Sequence, residues 1–443
     1  MYTLDRTQYN PALMTDTYKF SHWPQYPPNT TLIHSYLEAR AREGDSDEIV
    51  FFGLQPYLTL LEGSVLTSRH IERAERFAHT HFHRPCLFNS QGWRRLLHKH
   101  KGCLPLEIRA VPEGSVHTRG TPLVSIENTD PEFYWLTNYV ETLLMNVWYP
   151  CSVATQSRKF YKLLDTYLSD TGSNESIKFR LHDFGMRGVS CPLQAGFGGA
   201  AHHIYFDGSD NVFGTLFLED YYDSDHFARG IPASEHSTIT SWGRENEELA
   251  YANMLDTYKE GDFACVSDSY NILNAVECIW GDTLKERVLG RKGVTYIRPD
   301  SGPPLENLLQ LSNLIAKQFG ATTNEKGYIV FDEHVRLIQA DGVSYGAMCQ
   351  ILYGLSKAGY SAENYFFGSG GALLQKMSRD TYDFALKCSF AEVDGKGRDV
   401  WKCSTGKPSK AGRFLNGDLR TVFRDGEIIK KFNFHEVREN SKC

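Results

Sequence analysis

Side chains able to do chemistry gather in short stretches punctuated by glycine and proline. The densest is Gly230-Ile-Pro-Ala-Ser-Glu-His-Ser-Thr-Ile-Thr-Ser-Trp-Gly243. Pro232 sets a turn, and His236 follows it between Glu235 and a run of hydroxyls. Imidazole titrates near neutrality, so a histidine at a strand end or loop mouth can act as base or nucleophile. The same residue can equally be satisfied by hydrogen bonds inside a fold. Gly368-Ser-Gly-Gly371 offers bare backbone N–H groups suited to a phosphate. Arg298-Pro-Asp-Ser-Gly302 sets a cation and a carboxylate at one strand end. That pairing suits a sugar phosphate, with Arg298 on phosphate and Asp300 on ribose hydroxyls, and it also suits a salt bridge closing a barrel. Arg187, Arg379, Lys387 and Lys402 add positive charge to an acidic chain, as a polyanionic ligand would require, although each alone reads as solvated surface. His79, His81 and His83 alternate, but they follow a helical run, where a spacing of two fans side chains apart; no metal site is expected there.

Two patterns of elements position these groups. Residues 31–41 read as a strand ending at Arg40. Ile49–Phe52 leads into an amphipathic helix reaching Leu61. Leu104–Ile126 reads as β-structure with turns at Gly114 and Gly120-Thr-Pro122. Asp130 and Pro131 open a helix predicted to run through Trp148, and a second is predicted over Val153–Tyr167. After residue 175 short β runs alternate with helices. The strands are Ile177–Leu181, Ala264–Val266, Val294–Ile297 and Tyr365–Phe367; the helices are Ser269–Trp280, Pro304–Phe319 and Ser344–Ala358. Polar residues follow nearly every strand: His182–Gly185, Ser267–Ser269, Arg298–Gly302, Asp341-Gly342 and Gly368–Gly371. A (β/α) barrel keeps its chemistry at the C-terminal strand ends, so this distribution predicts a barrel site. The chain closes with hairpin strands around Arg420–Phe423 and Ile428–Phe432. The predicted division is a β-rich domain from residues 1–150 with 385–443 and a barrel over 151–384.

Composition bounds the reading. The 443 residues are 41% hydrophobic and 23% charged, ordinary for a globular enzyme large enough for two lobes. A net charge of −7 argues against general nucleic-acid binding. The 10 cysteines include no Cys-x-x-Cys pair and read as reduced thiols. The first residues lack the features of a signal peptide, and no apolar run approaches a membrane span. The expectation is a cytoplasmic protein with no nucleic-acid or membrane partner.

Ordered blocks along nearly the whole chain resemble the nicotinamide phosphoribosyltransferase family. They are Thr15-Asp-Thr-Tyr-Lys19 with Gln25-Tyr-Pro-Pro-Asn29, Glu127-Asn-Thr-Asp-Pro131 with Tyr134-Trp-Leu-Thr-Asn138, and Leu181-His-Asp-Phe-Gly185 with Arg187-Gly188. Then come Glu235-His-Ser-Thr-Ile-Thr240, Val266-Ser-Asp-Ser-Tyr270, Ile297-Arg-Pro-Asp-Ser-Gly302 and Phe367-Gly-Ser-Gly-Gly371 with Leu373-Leu-Gln-Lys376. The resemblance implies an irregular α/β barrel, a β-rich domain built from N- and C-terminal segments, and a homodimer with shared sites. It implies nicotinamide and phosphoribosyl pyrophosphate as substrates, nicotinamide mononucleotide and pyrophosphate as products, Mg²⁺ as cofactor and ATP as co-substrate. It implies that Phe184 and the partner-supplied Tyr18, within the Asp16 block, sandwich the pyridine, and that Asp210 faces its amide. Arg187, Arg298 and Asp300 would hold ring and ribose phosphate, Asp341 a ribose hydroxyl, and Gly370-Gly371 the 5′-phosphate. Arg40, Arg379, Lys387 and Lys402 would line a pyrophosphate and ATP channel, and ATP would phosphorylate His236. A nicotinate-specific enzyme and a non-catalytic protein on the same scaffold are the alternatives. The chain departs from the pattern at Asn271, where an Asp is usual and where a neutral carbonyl would replace a carboxylate orienting His236. It departs also at Ala340, at Met186, and in shorter loops after Arg42 and near Leu415.

Overall fold

The computed structural model describes residues 4, 8–41, 48–83, 87–225, 228–403 and 409–442, so the loop immediately after Arg42 lies outside the described residues. The chain divides into two units. One is Met1–Thr155 with Phe217–Asp225 and Met377–Cys443; the other is Gln156–Leu216 with His226–Lys376.

The first unit is built on a seven-stranded antiparallel sheet. Its order is Lys396–Asp399, Phe384–Val393, Thr30–Ala39, Val124–Asn128, Leu106–Ala110, Arg420–Arg424 and Glu427–Ile428. Thr30–Ala39 lies inside the sheet, paired on one side with Phe384–Val393 and on the other with Val124–Asn128. N- and C-terminal segments therefore share one sheet, as expected. The helix predicted from Asp130 through Trp148 is broken instead. Asp130 does cap a turn, accepting the Glu132 N–H at 3.1 Å, but short helices at Leu136–Tyr139 and Glu141–Met145 precede a fresh start at Trp148–Thr171. Pro150 has no N–H for the Asn146 carbonyl, so it belongs in the first turn of a new helix rather than inside a continuing one.

The second unit is a parallel barrel. Five strands pair in the order Leu181–Asp183, Tyr365–Ser369, Val335–Gln339, Thr295–Arg298 and Phe263–Val266. Three single bridges carry the ring around the remaining side: Asp183 with Ser209, Gly208 with Arg229, and Ala233 with Ala264. This is the expected irregular barrel. Strands buried on both faces explain the apolar runs Phe263–Val266 and Tyr365–Phe367. Two helices match their predictions closely, Pro304–Phe319 and Tyr345–Lys357. Two elements differ. Ile177–Phe179 is a 3₁₀ turn, with the strand starting at Leu181. The helix predicted over Ser269–Trp280 is a short α-turn, Ile272–Asn274, running into a wider π-helix, Ala275–Thr283. Among the described residues no helix is long and apolar enough to cross a membrane.

Candidate active site

At the C-terminal mouth of the barrel each strand end delivers one group able to do chemistry. Phe184 follows the first strand, its N–H donating to the Ser369 carbonyl at 3.0 Å. Its ring lies so close to Gly368 that a Cβ there would sit 2.2 Å from a ring carbon, so only glycine leaves room. Arg187, exposed, occupies the next turn, Met186–Gly188. Asp210 follows the Gly208–Ser209 bridge, and its N–H donates to the Asp183 carbonyl at 3.0 Å. Burial raises its carboxyl above the usual range, and the charge of Arg298 opposes that.

His236 opens the five-residue helix His236–Thr240, just beyond the Ala233 bridge. Ser234 fastens that crossing, donating its N–H to the Ala264 carbonyl at 3.0 Å and accepting the Val266 N–H on Oγ at 2.8 Å. The result places His236 Nε2 3.0 Å from Asp268 Oδ1, with Nδ1 3.8 Å from Asp300 Oδ2. Asp268 Oδ2 accepts the Ser301 hydroxyl at 2.6 Å and the Asp300 N–H at 3.1 Å. Burial would raise the Asp268 carboxyl, but the Ser301, His236 and Asp300 contacts together hold it below its ordinary value. Arg298 stands 3.7 Å from Asp300 Oδ2, and its buried Nε has no hydrogen-bond partner among the described residues, as expected of a group awaiting a ligand.

Asp341 lies exposed on the turn after Val335–Gln339, its carbonyl accepting Gln339 Nε2 at 2.8 Å. The Ser369 hydroxyl donates to the Val343 carbonyl at 2.7 Å, tying this turn to Gly370 and Gly371. A Cβ on Gly188 would approach the Gly371 nitrogen to 3.1 Å, so the Arg187 turn packs against the glycine turn. His236, Asp300, Arg298, Phe184, Arg187, Asp210, Asp341, Gly370 and Gly371 thus share one rim.

Asn271 does not join His236. It caps the next helix, its side chain accepting the Asn274 N–H at 3.1 Å, and Asp268 takes the place beside the histidine. Asn271, five positions past the strand end at Val266, has already turned into the helix; Asp268, two positions past it, still faces the mouth. Asp268 was visible within Val266–Tyr270 but not marked by spacing alone.

The remaining predicted residues lie in the first unit. Asp16 accepts the Thr142 hydroxyl at 2.8 Å; Tyr18 is 55% exposed and meets His22 edge-on at 4.7 Å. Arg40, Arg379, Lys387 and Lys402 line one cavity of about 240 Å³ together with Glu141, Asp380 and Asp383. Arg379, inside the sequence boundaries of the barrel, falls in this unit. Burial lowers the Lys387 ammonium; Glu141 opposes this, while Arg40, Lys19 and Arg379 reinforce it. Arg40 Nε is buried with no partner among the described residues. Four cations around one cavity, with the Arg40 Nε donor unspent, suit an anion carrying several oxygens.

Comparison with known proteins shows the family to which this chain belongs. Residues 179–427 match the nicotinate phosphoribosyltransferase family model, and residues 10–108 match the N-terminal domain of nicotinamide phosphoribosyltransferase. A nicotinamide phosphoribosyltransferase of Xanthomonas campestris is 40% identical over 464 aligned positions, 98% of each chain. The chain belongs to this phosphoribosyltransferase family. Enzymes of the same name from Acinetobacter baylyi and Mycoplasma pneumoniae are 29% and 30% identical over 97% and 93% of this chain, covering 96% of each relative. The fold is shared with nicotinate-nucleotide pyrophosphorylase of Pyrococcus furiosus (TM-score 0.62, 16% identity, 100% of this chain and 97% of that one). It is shared also with human nicotinic acid phosphoribosyltransferase (TM-score 0.55, 16% identity, 97% and 93%).

Proposed function

We propose that this phosphoribosyltransferase moves the phosphoribosyl group of phosphoribosyl pyrophosphate onto nicotinamide, releasing nicotinamide mononucleotide and pyrophosphate, with ATP phosphorylating His236. Asp210 carries the choice of pyridine. An ionised carboxylate only accepts hydrogen bonds, which suits the amide NH₂ of nicotinamide and repels the carboxylate of nicotinate. The Phe184 ring supplies an apolar face for the pyridine. Gly370-Gly371 suit the 5′-phosphate, with Arg187 and Arg298 adding positive charge beside it, and Asp300 suits the ribose hydroxyls.

Breaking the C1′–O bond leaves positive charge on the sugar and negative charge on the departing pyrophosphate. The pyridine nitrogen takes the vacated C1′, and the basic side chains stabilise the leaving group. Asp300 is a hard oxygen donor whose Oδ2 stands 3.7 Å from Arg298 and 3.8 Å from His236, outside hydrogen-bond distance, and it fits Mg²⁺, which is commonly held by one or two carboxylates plus substrate phosphates. Bound there, Mg²⁺ would neutralise pyrophosphate charge. The Arg40, Lys387, Arg379 and Lys402 cavity is the proposed channel for pyrophosphate and ATP, and the proposed assembly is a homodimer in which Tyr18 and this cavity serve the partner's barrel.

Chromatography of the products made from phosphoribosyl pyrophosphate and each pyridine, with and without ATP, tests the reading. Nicotinamide mononucleotide should form, faster with ATP. Formation of nicotinate mononucleotide alone, or of neither, would overturn it.

A further inference from the structure

Asp183 ends the first barrel strand beneath the mouth, fully buried, and the proposed reaction gives it no task. Its Oδ1 accepts the Gly185 N–H at 2.7 Å, and its Oδ2 accepts Asn211 Nδ2 at 2.8 Å. Its own carbonyl accepts the Asp210 N–H at 3.0 Å. One residue thereby grips the turn carrying Phe184 and Arg187 on one side and the segment carrying Asp210 on the other.

Among the described residues every donor to this carboxylate is neutral. The charge felt most directly is that of Asp210, itself facing Arg298; Arg187 rides on the gripped turn. His182 and His202, buried nearby, have their pKa values lowered by burial to about 4 and about 3, so neither supplies a cation. Asn211 cannot turn around to accept a proton from Asp183. Its other N–H is held by the Ala195 carbonyl at 2.9 Å, and its Oδ1 accepts the Gly214 N–H at 3.2 Å. Both carboxylate oxygens therefore face N–H donors, and a proton on either one would weaken the hydrogen bond it accepts by removing the negative charge.

We propose that Asp183 is a positioning residue of the pyridine subsite: its anion locks the Phe184 turn to the Asp210 segment, so that pyridine binding, rather than the transfer step, follows its charge. The proposal rests on the reading of the mouth as a pyridine site. Burial pushes the Asp183 carboxyl up to about 6, against the pull of Asn211 and Gly185 and with help from Asp210, which brings its protonation into an assayable range.

Steady-state kinetics of the full chain from pH 5 to 8.5 test this in wild type, Asp183→Asn and Asn211→Ala, with thermal melting as a check of folding. In wild type the KM for nicotinamide should rise below about pH 6, approaching tenfold per unit, with no matching inflection in kcat or in the KM for phosphoribosyl pyrophosphate. Asp183→Asn keeps the acceptor for Gly185 but turns an NH₂ against Asn211. Its KM for nicotinamide should be raised about tenfold even at pH 8, and the inflection assigned to Asp183 should vanish. Asn211→Ala removes one donor, so its inflection should move upward; this variant decides the matter even where Asp183→Asn folds poorly. An unmoved inflection in Asn211→Ala, a nicotinamide KM for folded Asp183→Asn within twofold of wild type, or a loss confined to kcat would overturn the assignment. Wild type inert toward nicotinamide at every pH would instead sink the functional reading, and this role with it.

Discussion

A histidine that accepts a phosphoryl group must offer one ring nitrogen with a free lone pair, and its other nitrogen decides which. In the proposed phosphorylation, the tautomer that gives Nε2–H to Asp268 at 3.0 Å would leave Nδ1 of His236 as the nucleophile, with Asp300 at 3.8 Å too far to claim it. Replacing His236 by Ala should abolish ATP hydrolysis and the ATP-dependent gain while sparing slow ATP-independent transfer. A labile phosphoprotein at wild-type level in that variant would refute the assignment. Asp268→Asn should lower ATP hydrolysis by about 10- to 10²-fold with ATP-independent transfer retained, because an amide can no longer fix the tautomer. Phosphate-release assays would read the effect, and an unchanged rate would mean the pair does not orient the ring. Type and motif made His236, Arg298 and the glycine turn legible in the sequence. The partner of His236 was not, because the choice between Asp268 and Asn271 depends on where the chain leaves the strand for the helix.

At the scale of elements, the antiparallel sheet holds a buried charged node that fixes the C-terminal strap carrying Ser409. Glu127 accepts from Arg413 at 2.7 Å and 2.8 Å and meets His34 Nδ1 at 2.9 Å, while His34 Nε2 accepts the Phe414 N–H at 3.0 Å. Burial would raise the Glu127 carboxyl, but His34 and Arg413 overcome it and bring it down to about 2. Because the folded value is depressed, this stabilisation is complete above about pH 4.5 and disappears as pH falls toward 2. Glu127→Gln should cost about 2 kcal/mol at pH 7, with Arg413 more than a third exposed and its contribution discounted for solvent. In urea titrations the variant should lose less further stability than wild type between pH 4.5 and 2.5; parallel curves would refute the account. Periodicity exposed Thr30–Ala39, the strands within Leu104–Ile126 and Arg420–Arg424, but it missed Phe384–Val393 and Lys396–Asp399. It could not show that Thr30–Ala39 pairs with Phe384–Val393, a register set by contacts some 350 residues apart in the chain. The barrel was more legible because each strand announced its end with polar residues, yet its closure through single bridges at Ser209, Arg229 and Ala233 left no run of residues long enough to read as a strand.

At the scale of the molecule, the proposed homodimer makes a prediction that neither unit makes alone. If Tyr18 serves the partner's barrel, Tyr18→Ala and His236→Ala chains should each lack ATP-stimulated transfer, and mixing them after unfolding and refolding should restore about a quarter of it through heterodimers with one intact site. No recovery in the mixture, or full activity from a monomer in sedimentation, would contradict shared sites. The preference for an amide over an acid at the Asp210 rim is read from the ratio of kcat/KM for nicotinamide to that for nicotinate. Two carboxylates facing each other at this rim should hold that ratio above about 10² in wild type, and Asp210→Ser should bring it down toward unity. A wild-type ratio near one, or a Ser variant that keeps the full amide preference, would show that Asp210 does not select the pyridine.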